Sequence, residues 1–326
     1  MLRFQYLLLM IGSCMWAQAT LTDDILKAQK LSTAGNLREA LQTLERGIRT
    51  TPSEATVLAV ALNEAGNLHL SLGDIREAIN LLQRAVHLSQ QEHGQESVQT
   101  TAPLTNLARA WAAQGKFEKA QTVLEQVLRI RRATLEETDP AVSNTLSHLA
   151  NVYLSRERPD KAESCARMVV RNLESKPALR PLVIASAYNV LALLEFRSGS
   201  LGDAERDIYR AVNAIRDYAG ADHPAILPYL LNLASIRLRL KQWSDAEAAI
   251  DHSLLLAERT LGGDHPLCAE ALLLRAWLYR ETGRRIEQKD ATRRAREILA
   301  AHSIRQDSIV SLDELNRGRS PRDRSR

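Results

Sequence analysis

Two short phrases repeat a histidine between an acid and a proline: Gly220-Ala221-Asp222-His223-Pro224 and Gly263-Asp264-His265-Pro266. A zinc site needs three or four His, Cys or carboxylate ligands converging on one point. One histidine per phrase is too few. A cap on the helix that starts at each proline is the simpler role, because the first-turn N–H groups need acceptors. The remaining histidines are scattered. The chain contains no G-x-x-x-x-G-K-[ST], no H-E-x-x-H, no G-x-S-x-G and no Cys/His cluster, so no catalytic residue, metal or cofactor is expected. Cys165 and Cys268 lie about a hundred residues apart in what reads as an extended array. Disulfide formation needs Cα atoms within about 7 Å, so both are expected as free thiols.

The elements that carry these residues are announced by a period. Ala108, Ala150, Ala192, Ala234 and Ala276 follow one another at steps of 42 residues, and so do Ala78, Ala120, Ala162, Ala204 and Ala246. Leu107, Leu149, Leu191 and Leu233 keep the same step, with Arg275 in the next place. Gly73, Gly115, Gly199 and Gly283 fall on the lattice, with Glu157 and Lys241 in the intervening places. Trp111, Tyr153 and Tyr279 share one position and read as core. Self-similarity at such a period marks a repeat architecture. Within a unit, Leu146, Leu149, Ala150 and Tyr153 recur at helical spacing, with Asp139 as cap and Pro140 in the first turn. The lattice glycine ends this first helix in a left-handed cap, and a second helix follows. The two alanine columns predict a close crossing of helix A on helix B. Composition agrees, since 14 Gly and 10 Pro leave few turn formers for a large β architecture.

Gly115-Lys116-Phe117-Glu118-Lys119-Ala120, preceded by Leu107-Ala108 and Trp111, resembles the tetratricopeptide repeat. The first unit, Gly35-Asn36-Leu37-Arg38-Glu39-Ala40, is similar to the shorter ordinary form, with 38 residues from Ala40 to Ala78. The 42-residue units joined by the Asp-His-Pro phrases resemble the kinesin-light-chain subclass. The resemblance implies an all-α, right-handed solenoid of about seven antiparallel helix pairs over residues 20–301. In the seventh unit Arg275 and Gln288 replace Leu and Ala, as suits a capping repeat with a polar outer face.

The family uses its concave face, lined by the A helices, to hold peptides. Carried over by position, that face comprises Asn63, Asn67, Asn106, Arg109, Asn144, His148, Asn151, Asn189, Arg197, Asn232, Ser235, Arg239 and Arg280. An amide offers both donor and acceptor to a peptide main chain, and the arginines favour an acidic ligand or a free C-terminal carboxylate. These positions are expected to face solvent in the free protein. Val190, Leu231, Leu273 and Leu274 depart from the polar pattern.

The two ends read differently from the body. Arg3, an apolar stretch from Phe4 to about Trp16, and Ala17-Gln18-Ala19 form the parts of a secretory signal peptide over residues 1–19. The same stretch contains Ile11-Gly12-Ser13-Cys14, similar to a lipobox, which would anchor the protein by a lipid on Cys14. No apolar run reaches the roughly 18 residues of a membrane span. Residues 302–326 end in Arg317-Gly318-Arg319-Ser320-Pro321-Arg322, a basic segment with nothing to bury, expected to be largely disordered. Lys and Arg total 43 against 39 acids, and the ends hold most of that excess, so no specific nucleic acid is expected as partner. The expected function is an exported scaffold holding a partner protein or extended peptide. A lipid-anchored envelope assembly factor and an accessory subunit of an enzyme or signalling complex are the alternatives.

Overall fold

The computed structural model describes residues 20–174 and 180–301. Both the leader at 1–19 and the basic tail at 302–326 lie outside the described residues. Fourteen α-helices occur among those residues, with two short 3₁₀ turns and no strand. They form seven consecutive pairs: α1 Leu21–Thr33 with α2 Leu37–Thr50, α3 Ala55–Ser71 with α4 Ile75–His93, α5 Thr101–Ala113 with α6 Phe117–Thr134, and α7 Pro140–Ser155 with α8 Pro159–Leu173. The last three are α9 Pro181–Ser198 with α10 Leu201–Ala219, α11 Leu227–Arg239 with α12 Trp243–Thr260, and α13 Pro266–Glu281 with α14 Arg285–Ala301. Each helix packs mainly on its neighbours in sequence, and the A helices also touch from unit to unit. This is an all-α solenoid. No described helix is long and apolar enough to cross a membrane.

Helix ends follow local chemistry. Asp139 accepts from the Ala141 N–H at 2.7 Å, and Pro140 occupies the first turn of α7. His223 and His265 cap in the same way, their Nδ1 atoms accepting from the Ala225 and Leu267 N–H groups at 3.2 and 3.1 Å. Every A helix closes with the same pair of reversed hydrogen bonds. In α5, Gly115 N–H donates to the Ala112 carbonyl and Lys116 N–H to the Trp111 carbonyl, a Schellman cap that needs a left-handed residue. The lattice enforces this even without glycine: Glu157 and Lys241 adopt φ of 55° and 61°.

The alanine columns meet where the helices of a pair cross. Ala150 and Ala162 are both fully buried, as are their counterparts in the neighbouring units. In the second unit the A-helix place is Gly66, where a Cβ would stand 2.6 Å from Leu82 Cγ and 3.3 Å from the Ala78 carbonyl oxygen. Arg275, in the leucine column, reaches Asp251 of α12, and α14 exposes nearly all of its outer face, as a terminal cap requires.

The array is not extended along its length, as the sequence suggests, but coils until its ends meet. The turn of the first unit lies against the linker before α11, so that a Cβ on Gly35 would stand 3.1 Å from Pro224 Cδ. One unit further on, a Cβ on Gly73 would stand 3.3 Å from Pro266 Cδ. Arg38 of α2 donates to the Leu261 carbonyl. With Nδ1 of His223 accepting, its proton sits on Nε2, and the ring faces the last-turn carbonyls of α1 at Ser32 and Thr33. The glycine turns and the Asp-His-Pro linkers therefore form one seam, in register at two successive units. Cys165 and Cys268 are free thiols on α8 and α13.

Candidate functional site

The A helices line the inside of the coil, and Asn106, Arg109, Asn144, His148, Asn151, Asn189, Asn232, Ser235 and Arg239 are half-buried there. Asn63 is buried. Apart from Asn144, the amides are not free, in contrast to the solvent-facing row expected from sequence. Asn106 Nδ2 donates to Asn63 Oδ1 at 2.9 Å, and Asn232 Nδ2 to Asn189 Oδ1 at 2.6 Å. Asn151 Nδ2 donates to the Ser147 carbonyl and to Ser186 Oγ, both at 2.9 Å. Ser235 Oγ donates to the Leu231 carbonyl one turn back. The helical period brings like residues of adjacent units face to face, and a half-buried amide takes the nearest partner.

The arginines divide. Arg197 is exposed and donates to the Leu154 carbonyl near the end of α7, at 3.3 Å, and Arg239 stacks over Phe196, 5.2 Å from the ring centroid. Arg280 is exposed beside Glu281. These three occupy the last turns of their helices, at the rim. Arg109 is inside. Its Nη1 donates to Asn67 Oδ1 at 2.7 Å and to Asn106 Oδ1 at 3.0 Å. No carboxylate lies within ion-pairing distance of it among the described residues.

The surrounding helices enclose these groups, and burial shifts their pKa values. Burial lowers the Arg109 guanidinium, which still feels the phenol of Tyr229 on α11 across the groove. His148 is driven down to about 3 by burial, then by the charges of Arg109 and Arg131, so it is neutral at physiological pH. Burial pushes Tyr229 up to about 12, against the pull of Arg109, and pushes Glu270 up to about 7. Glu64 is also raised by burial, partly offset by a hydrogen bond from Gln29.

Glu64, Tyr229 and Glu270 were not anticipated from sequence, although the lattice holds the signal. Glu270 falls on the place of Asn144, three units on, and Glu64 on that of Asn106 and His148. The apolar departures from the polar pattern at Val190, Leu231 and Leu274 are buried in the core, as is Trp277.

The fold and this groove define an α-helical repeat scaffold for protein–protein interaction. The tetratricopeptide repeat family profile matches residues 57–133, 99–175, 183–249 and 227–300, more than half of the chain, and the chain belongs to that family. Its repeats are of the kinesin-light-chain kind. Kinesin light chain-related protein 1 of Arabidopsis thaliana is 24% identical over 235 residues, covering 71% of this chain and 38% of that protein. Kinesin light chain-related protein 3 of the same plant is 25% identical over 261 residues, covering 79% and 39%. The chain thus spans about two-fifths of the length of these curated relatives. In fold it is similar to the Rap conjugation gene regulator of plasmid pLS20, solved with the Phr* peptide (TM-score 0.67, 12% identity, 88% of this chain and 76% of that one). A Rap protein complexed with competence and sporulation factor gives a TM-score of 0.62 at 14% identity, covering 87% of each chain.

Proposed function

We propose that the chain is an exported scaffold that holds an extended peptide, or a peptide segment of a partner protein, inside the coil. The supporting observation is the polar, half-exposed A-helix lining within a solenoid whose ends meet, which turns an open trough into an enclosed channel. Similar folds solved with a peptide, the Rap regulators, are in keeping with this reading. Arg109 inside and Arg197, Arg239 and Arg280 at the rim favour a ligand with an acidic side chain or a free C-terminal carboxylate. The chain acts by binding rather than by turnover.

A photo-crosslinking residue placed at Asn144 in the channel should capture the partner in cells, whereas the same residue at the exposed Leu255 should not. Capture at Leu255 alone would move the function to the convex face.

Export rests on the leader and its Ala17-Gln18-Ala19 site. Cleavage there leaves Thr20, whose side chain and N–H form a capping box with Asp23 at the start of α1. Protein purified from native expression should begin at or near Thr20 and fractionate outside the cytoplasm. Intact Met1 on a cytoplasmic pool refutes export, and a diacylated Cys14 selects the lipid-anchored form.

A further inference from the structure

Ion pairs elsewhere in the chain are plentiful: Arg46 with Asp24, Arg275 with Asp251, Arg294 with Glu258. Inside the coil, Arg109 and Glu270 have none among the described residues. Arg109 on α5 uses one nitrogen for two amide oxygens, and its other guanidinium edge is left for a ligand. Glu270, near the start of α13, makes neither an ion pair nor a hydrogen bond among the described residues, and enclosure raises its carboxyl to about 7 with no neighbouring charge contributing. No ion pair joins the two groups, and neither is shifted by the other's charge.

A desolvated charge without a counter-ion is costly, and removing it often stabilises a protein. Glu64, the other enclosed acid, has a hydrogen bond from Gln29, so Arg109 and Glu270 are the groups of opposite sign left without a partner among the described residues, on different units, and they suit a ligand that brings both charges. We propose that the channel selects a linear peptide segment bearing two opposite charges, its carboxylate docking on Arg109 and its ammonium or guanidinium group on Glu270. Asn67 and Asn106 position the guanidinium, which can then take a carboxylate through two parallel hydrogen bonds. Tyr229, across the groove, presents a hydroxyl that keeps its proton at neutral pH. His148 remains neutral and adds no rival cation.

This inference rests on the peptide-channel reading, and the test separates the two. The probes are four pools of random-sequence dodecapeptides with both termini free, the amine blocked, the carboxyl blocked, or both blocked. Each pool is passed over immobilised wild-type protein, Arg109→Gln and Glu270→Gln, and retained peptides are sequenced by mass spectrometry. Circular dichroism melts confirm that each variant is folded. Wild type should retain peptides enriched several-fold in molecules carrying both an acidic and a basic group. Arg109→Gln should lose the acidic preference alone, and Glu270→Gln the basic preference alone. Retention with no charge preference, or with preferences unchanged in both variants, overturns the two-pole proposal while leaving the channel reading in place. No retention above a blank resin overturns the channel reading and this proposal with it.

Discussion

His148 and Glu270 sit in the same channel and titrate with opposite consequences. The His148 pKa of about 3 lies below its ordinary 6.5, so the unfolded chain takes up that proton first as the pH falls. Its contribution to stability is present above 6.5 and lost as the pH drops from there toward 3. The Glu270 carboxyl, at about 7 against an ordinary 4.5, behaves inversely. Its contribution is complete below 4.5 and lost as the pH rises through 7. His148→Gln should therefore raise the melting midpoint relative to wild type at pH 5 by a few degrees, with little change at pH 8. Glu270→Gln should do so at pH 8 with little change at pH 4. Melts of the three proteins across this range check both signs, and parallel curves would mean that neither group is enclosed. Buried Arg131 shows the alternative fate of a cation, with Nε donating to Thr101 Oγ1 at 3.2 Å and Nη1 to the Ala141 carbonyl and Thr145 Oγ1, both at 2.7 Å. It joins the A helices of two units through Nε and Nη1, where Arg109 bonds through Nη1 alone.

At the scale of the element, the same turn is built seven times from seven different sequences. Glu157 and Lys241 hold the left-handed conformation that glycine supplies elsewhere, at a cost of roughly 1–2 kcal/mol for an L-residue. Glycine also loses more freedom on folding, by about 0.5–1 kcal/mol. Glu157→Gly and Lys241→Gly should each stabilise by up to about 1 kcal/mol, read as a higher urea midpoint at unchanged slope. A fall in midpoint would show that these side chains contribute contacts outweighing the strain. The helix crossing responds the other way. Ala150→Leu should destabilise by about 1–3 kcal/mol through overpacking, while Gln91→Leu on the exposed side of α4 should leave the midpoint within about 0.5 kcal/mol. Equal effects at the two positions would mean that helices α7 and α8 do not cross at Ala150.

For the whole molecule the decisive contact is the seam. A few residues hold it: Arg38 on the Leu261 carbonyl, Gly35 and Gly73 against Pro224 and Pro266, and His223 against the end of α1. Each unit of a solenoid otherwise contacts only its neighbours, so the seam can part without unfolding any of them. Arg38→Ala should increase the radius of gyration in small-angle scattering and speed amide exchange in α1 and α2. The melting of units three to seven should change by no more than about 1 kcal/mol, the usual worth of a hydrogen bond. An unchanged radius of gyration would show that the coil is held by its unit-to-unit packing alone and that the seam is only a meeting of surfaces.

Units, caps and crossings were legible from the sequence because each is settled within a few residues or between neighbouring helices. Asp139, His223 and His265 each cap the helical turn that starts at the next proline; a glycine place demands a left-handed turn; an alanine column demands a close approach. Those are short-range requirements, and a repeat prints each of them several times. The channel was legible only in outline. Asn106 and Asn232 could be assigned to the concave face by position, but not to Asn63 and Asn189 as hydrogen-bond partners, because that pairing depends on how far adjacent A helices are rotated against each other. Closure, the enclosure that shifts His148 and Glu270, and the missing counter-ion of Arg109 depend on the same small rotation summed over seven units. No single residue encodes that sum. A slightly different rotation per unit would have left Gly35 clear of Pro224 and the groove open to solvent, and that was decided in three dimensions.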